Sequence, residues 1–206
     1  MTDLGKLREG VLTSLPELSD IASEELREKS IEAWVLALSE TSFTSLDDLT
    51  CSNNLGKVTY DGRTQSHHIR GVGRMARAMA QEMVFLSPDI GIDPDIALAG
   101  GLLHDVGKPY LYDPKNYTRW QSNIALLGDP PIRHAAYGAH IAMRVGLPEE
   151  IVHIIAMHEM DREGQYGARS AYVELVSYAD YVYWKILKSL DVLVPEGTKI
   201  TPGVSY

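Results

Sequence analysis

Apolar residues in this chain recur mostly at helical spacing and nowhere sustain an alternating pattern, so the sequence predicts an all-α protein. Residues 3–15 and 20–40 read as two amphipathic helices. In the second, Ile21, Leu26, Ile31, Trp34, Val35 and Leu38 gather mostly on one side, and Asp20 suits the N-cap. Residues 41–63 are rich in Ser, Thr, Asp, Asn and Gly and read as a loop with one short helix around Ser45–Leu49. A helix over 66–86 would carry Ile69, Val72, Met75, Ala76, Met79 and Met83 inward. Asp93-Pro94 then opens an apolar helix that delivers His104-Asp105 at its end, where Gly107 and Pro109 stop it.

Residues 110–127, with Tyr110, Tyr112, Tyr117 and Trp120, read as a loop, either a packed surface segment or a substrate lid. Asp129-Pro130 is expected to open a helix ending at Gly146. Pro148 opens another that reaches His158, and a last long helix spans 170–190 with Asp180 in its middle. The chain divides into an N-terminal helical extension (1–60), a main helical domain (61–195) and a tail (196–206). The extension reads as a cap or as a dimerisation element that would make a homodimer.

Composition narrows the function. A length of 206 residues suits one domain with a real core, and 45% hydrophobic with 23% charged residues is ordinary for a globular chain. The net charge of −9 argues against a nucleic-acid polymer as partner, because phosphate-backbone binding needs a basic surface. Cys51 is the sole cysteine, so an intramolecular disulfide and a cysteine-based zinc knuckle are both excluded. The N-terminus lacks a signal-peptide core and no apolar run has membrane-spanning length, so the expected location is the cytoplasm, with no membrane partner.

Candidate chemistry lies in the placement of histidines and one acid. Of seven histidines, His68 begins a helix, His104 ends one, His134 begins another and His158 ends the next. Asp180 sits among Tyr178, Ala179, Tyr181 and Val182, where a carboxylate is costly unless paired or bound to metal. Helix ends meeting on one side of a bundle can gather imidazoles and carboxylates around metal.

The order His68, His104-Asp105, His134, His158, Asp180 resembles the HD-domain superfamily of metal-dependent phosphohydrolases. His68-Ile-Arg-Gly-Val72 resembles its first helix, Leu102-Leu103-His104-Asp105-Val106-Gly107-Lys108 its signature turn, and Ile155-Ala-Met-His158-Glu159 a later one. The likeness covers roughly residues 64–190 and implies an HD-domain helical bundle. It implies one metal on His68, His104, Asp105 and Asp180, and a second on His134 and His158 with Asp105 bridging. The ions would be iron, manganese or zinc.

Asp105 and Lys108 are the implied catalytic residues, with Lys108 countering charge on a phosphate oxygen instead of serving as a solvated lysine at a helix end. Lys108, His67 and Arg133 are the expected substrate contacts. Many dinuclear members carry His-His where this chain has His158-Glu159, which leaves Glu159 as a ligand, an acid/base group or a solvated residue. The expected substrate is a small-molecule or nucleotide phosphoester. Two alternatives keep the same scaffold: a di-iron oxygenase acting on a small organic substrate, and a catalytically inactive binding module.

Overall fold

A computed structural model describes residues 3–53, 58–160 and 167–195. Its helices are α1 (Leu4–Ser14), α2 (Glu24–Ser39), α3 (Gln65–Leu86), α4 (Pro94–Leu103), α5 (Lys108–Tyr112), α6 (Pro114–Gln121), α7 (Ile124–Leu127), α8 (His134–Arg144), α9 (Glu149–Met157) and α10 (Ala171–Ser189). The fold is all-α, with a minor sheet of three short antiparallel strands, β1 (Thr50–Asn53), β2 (Val58–Thr64) and β3 (Leu193–Pro195), in the order β1-β2-β3. One hydrophobic core runs from Leu7 and Trp34 in α1 and α2 to Leu187 in α10. The apolar faces of the first two helices are therefore buried inside the chain.

The pair α3–α4 sets the geometry of everything that follows. A Cβ added at Gly101 would lie 2.6 Å from the Cα of Gly73, and one at Gly73 would lie 2.9 Å from the Leu102 side chain. The two backbones thus touch where their side chains are missing. That contact places the first turn of α3, with His68, beside the end of α4, with His104. The carbonyls left over at the end of α4 are satisfied in turn: Trp34 Nε1 donates to Leu102 O at 3.0 Å, and the Val106 N–H donates to Leu103 O at 2.9 Å.

Several expectations need correction. The side-chain cap of α2 is Ser23, whose Oγ accepts from the Leu26 N–H, and Asp20 ends a preceding 3-10 turn (Pro16–Asp20). The strands lie where a loop and a formless tail were expected. β1 and β2 are too polar and β3 too short for alternation to show, and β2 pairs with β3 from far along the chain. Residues 110–127 form three short helices, not a loop, opened by Pro109 in the first turn of α5, Asp113 capping α6 and Asn123 capping α7. Asp129-Pro130 does not open α8: each residue there precedes a proline and is biased out of the helical region. The helix begins at His134 instead, with an extended Arg133 before it. Met83, expected inside, is 41% exposed. The polar loop expected over 161–169 and the tail over 196–206 fall largely outside the described residues.

Candidate metal centre

His104 and His158 are positioned by one local device. Each stands immediately after a helix, α4 or α9, and its Nδ1 lies 2.8–2.9 Å from the carbonyl three residues earlier, Gly101 O or Ile155 O. A carbonyl only accepts, so Nδ1 carries a proton in both rings, and Nε2 is the inward nitrogen, which offers a lone pair whenever the ring is neutral. His158 is further fixed by Ser177 of α10, whose hydroxyl donates to His158 O at 2.7 Å.

The turn between α4 and α5 turns Asp105 into the middle of these rings. Its Oδ2 lies 3.2 Å from His68 Nε2 and 3.1 Å from His104 Nε2. Its Oδ1 lies 3.2 Å from His134 Nε2 and 3.9 Å from His158 Nε2. Asp180 Oδ1 completes the first group at 3.4 Å from His68 Nε2. Within each histidine pair, His68–His104 and His134–His158, the Nε2 atoms are 3.2 Å apart. Gly107 lets α8 come this close: its Cβ would fall 2.0 Å from His134 O. Its φ is an ordinary −85°, so the glycine serves close approach here and not a left-handed turn.

The electrostatics follow from burial around one charge. Burial opposes the Asp105 anion, yet the His104 and Lys108 charges hold its carboxyl well below the usual range. Burial pushes His68 down, drives His134 far down, and with the His104 charge takes His158 to about 4. His104 is the exception, since the Asp105 carboxylate outweighs burial and raises it. Burial also disfavours the Lys108 cation, but Asp105 overcomes it and raises that group. The three neutral rings are in the protonation state that binds metal.

All six ligand candidates, His68, His104, Asp105, His134, His158 and Asp180, thus meet in one place. Two sets of donor atoms, on His68, His104 and Asp105 and on Asp105, His134 and His158, each lie within 4.8 Å of one another. Asp180 Oδ1 is buried without a hydrogen-bond partner, as is the Nδ1 of His68 and of His134. A divalent cation in the cluster would satisfy the Asp180 oxygen and the Nε2 atoms that face Asp105, so the donor set fits the metal.

Other candidates are placed differently. Lys108 is not a solvated lysine: it is buried at the start of α5, with Nζ 2.8 Å from Asp105 Oδ2 and 3.0 Å from Ser52 O. Arg133 and Glu159 form a two-pronged ion pair, Nη2 to Oε1 at 2.9 Å and to Oε2 at 3.0 Å, beside the cluster. His67 is turned away, its Nδ1 2.9 Å from the Tyr183 hydroxyl, because its neighbour His68 points inward from the same helix turn. His140 is exposed and His153 bonds Ala168 O, both outside the cluster. Cys51 is buried and its thiol is pushed up to about 11, chiefly by that burial, consistent with an inert residue.

One residue went unnoticed in the sequence. Gln65, fully buried at the start of α3, donates from Nε2 to Asp105 Oδ2 at 2.8 Å. Its signal was its place three residues before His68 on one helix, which puts both side chains on one face.

The HD domain family matches residues 66–184, more than half of the chain. The chain belongs to the HD domain family. This HD domain is also similar to ribonuclease Y proteins. That of Lactobacillus acidophilus is 26% identical over 171 residues, covering 82% of this chain and 26% of the relative. That of Thermus thermophilus is 25% identical over 175 residues, covering 85% and 25%. The chain therefore spans about a quarter of the length of the curated relatives it matches. No solved structure matches it. Among the described residues, no helix of this HD domain is long and apolar enough to cross a membrane.

Proposed function

We propose that this HD domain is a dinuclear metal-dependent phosphohydrolase acting on a small-molecule or nucleotide phosphoester. The observation that carries the reading is Asp105: its two oxygens face two different histidine pairs, as a bridging carboxylate requires. His68, His104, Asp105 and Asp180 would hold one ion, and Asp105, His134 and His158 the other. Divalent ions there would supply Lewis acidity, activating water and neutralising phosphoryl charge.

The chain's own residues do the rest. A cavity of about 50 Å³ at the cluster is bordered by Lys108, Arg133, Glu159 and Trp184 as well as the ligands. Lys108 stays protonated and can reach a non-bridging phosphoryl oxygen from its place on Asp105. Gln65 holds the bridging carboxylate from behind. Arg133, oriented by Glu159, borders the cavity with a fixed cation for a second oxygen, and Glu159 is assigned to this pair and not to metal.

Hydrolysis of an RNA phosphodiester is the second reading, favoured by the similarity to ribonuclease Y over most of the chain. The net charge of −9 weighs against an extended polyanion. Oxygenase chemistry on the same donor set has no support from these relatives. An inactive binding module would have no need to keep every ligand. The test is a panel of phosphomonoesters, phosphodiesters and short RNAs against protein reconstituted with manganese, iron or zinc. Metal-dependent phosphate release from a small ester supports the reading, and cleavage of RNA alone would replace it with the second.

A further inference from the structure

A second, larger cavity of about 670 Å³ opens beside the cluster and shares Asn53, His158, Glu159, Asp180 and Trp184 with the small one. One face of α10 forms its floor. Asp180, Tyr181, Trp184, Lys185 and Lys188 all line it, and they follow each other at the three- and four-residue spacing of a single helix face. At about 1.5 Å of rise per residue, Lys185 and Lys188 lie roughly 7.5 Å and 12 Å along the axis from Asp180. The middle of the cavity is apolar and aromatic, with Trp184, Tyr181, Val58 and Leu193.

The far end carries cations that the fold does not use. Lys185 Nζ sits 5.0 Å from the centre of the Tyr181 ring, and neither Lys185 nor Lys188 makes an ion pair with any of the described residues. Among the described residues, Asp191 is the carboxylate at that end. At the near end Glu159 is neutralised by Arg133, and Asp180 belongs to the metal group. In a chain of net charge −9, two lysines along a wall that leaves the cluster, neither with an acidic partner among the described residues, stand out from the rest of the molecule.

The geometry points to a substrate with two anionic groups: a small bis-anionic phosphoester whose second anion reaches the part of α10 that lies roughly 7–12 Å along the helix axis from Asp180. Lys185 and Lys188 hold that second anion, and Tyr181 and Trp184 flank the body between. This rests on the phosphohydrolase reading above and adds to it the shape and charge of the substrate.

The experiment uses the manganese-loaded full chain and a series of straight-chain α,ω-alkanediol bisphosphates of increasing length, each beside its alkyl monophosphate. The expected result is an optimum chain length at which kcat/KM for the bisphosphate exceeds that for the monophosphate by at least about tenfold, the size of one charge-assisted contact. In the double variant Lys185→Gln/Lys188→Gln that ratio falls by about the same factor, and in Lys188→Glu it falls further. A ratio near one at every length, or one unchanged in the double variant, overturns the inference. If no ester turns over, the phosphohydrolase reading has failed by itself. Calorimetric binding of the same series, with and without the lysines, then decides the inference by the same ratio. Affinity that keeps rising with each nucleotide of a short RNA, past the second phosphate, would overturn the small-molecule assignment in favour of a polymer.

Discussion

Asp105 Oδ1 lies 3.2 Å from His134 Nε2, while the other oxygen of the same carboxylate accepts from Lys108 Nζ at 2.8 Å. One buried side chain therefore ties the turn after α4 to the start of α8 and to α5. Removing it strips the shared ligand from both histidine pairs and leaves the Lys108 cation buried without its partner. Breaking a buried pair from one side costs about 3–5 kcal/mol. Asp105→Ala is expected to lose activity and a large part of its stability, whereas Asp105→Asn keeps the volume and loses the charge. Thermal unfolding of the two variants separates the ligand role from the packing role.

Gln65 acts behind the metal ligands. Its amide fixes one lone pair of Asp105 Oδ2, so that the carboxylate faces the rings. Gln65→Ala is predicted to weaken metal binding by about 10–100-fold, the usual cost of removing a residue that orients a ligand. Titration of the metal-free protein with manganese, followed by calorimetry, measures this. An unchanged affinity would show that the carboxylate is held well enough by Lys108 alone.

Gly107→Ala tests the close approach of α8. The added Cβ would sit 2.0 Å from His134 O and 2.8 Å from Gly138 N, and both neighbours are backbone. The turn and α8 must separate, at a cost at or above the roughly 1–3 kcal/mol of ordinary overpacking. We expect a lower melting temperature together with loss of the ion held by His134 and His158. Retention of both ions would mean that the turn yields without moving the histidine.

Trp34 reports on the N-terminal helices. It is wholly buried and donates to Leu102 O two residues before His104. Trp34→Ala should destabilise by about 3–5 kcal/mol, and Trp34→Phe by less, since most of the aromatic volume is kept while the hydrogen bond and the second ring of the indole go. Denaturant unfolding followed by circular dichroism gives both values. A change of under about 1 kcal/mol for Trp34→Ala would mean that α2 is not part of the cooperative core.

Asp47 gives a pH signature away from the cluster. It accepts from the hydroxyls of Ser14, Thr64 and Ser66, linking α1 to the start of α3. Burial opposes its charge, but these hydroxyls hold its carboxyl below the ordinary 3.8. The sign follows: an acid with a lowered folded pKa stabilises fully above its unfolded value, and that stability is lost as pH falls through the folded value. Asp47→Ala should therefore cost stability at pH 7, about 1 kcal/mol by hydrogen-bond accounting, and progressively less below pH 3.8. Melting temperatures of both proteins across that range are expected to converge on the acid side.

How far the sequence was legible depended on the length of each signal. The helices α3, α4, α9 and α10 were readable because their apolar spacing persists over two turns or more, and the ends at His104 and His158 followed from α4 and α9. The short helices from Lys108 onward were not, since four to eight residues carry no period and their aromatics mimic a loop. Strand β2 was hidden because its own residues are mostly polar, its neighbour β1 has only four residues, and its other partner β3, three residues long, lies more than a hundred residues away. At the site, residue types at helix ends pointed to His68, Asp105 and His134, but sequence order could not say which way His67 turns. Nor could it show that Glu159 would meet Arg133, because that pair depends on how α8 and α9 pack.

The central claim is that one carboxylate serves two histidine pairs, and metal stoichiometry tests it most directly. Protein reconstituted with manganese and freed of excess ion is assayed by plasma mass spectrometry, beside Asp105→Ala and His134→Ala/His158→Ala. The account predicts two ions per chain in the parent, one in the double histidine variant and none in Asp105→Ala. One ion in the parent, or full occupancy in Asp105→Ala, would contradict it.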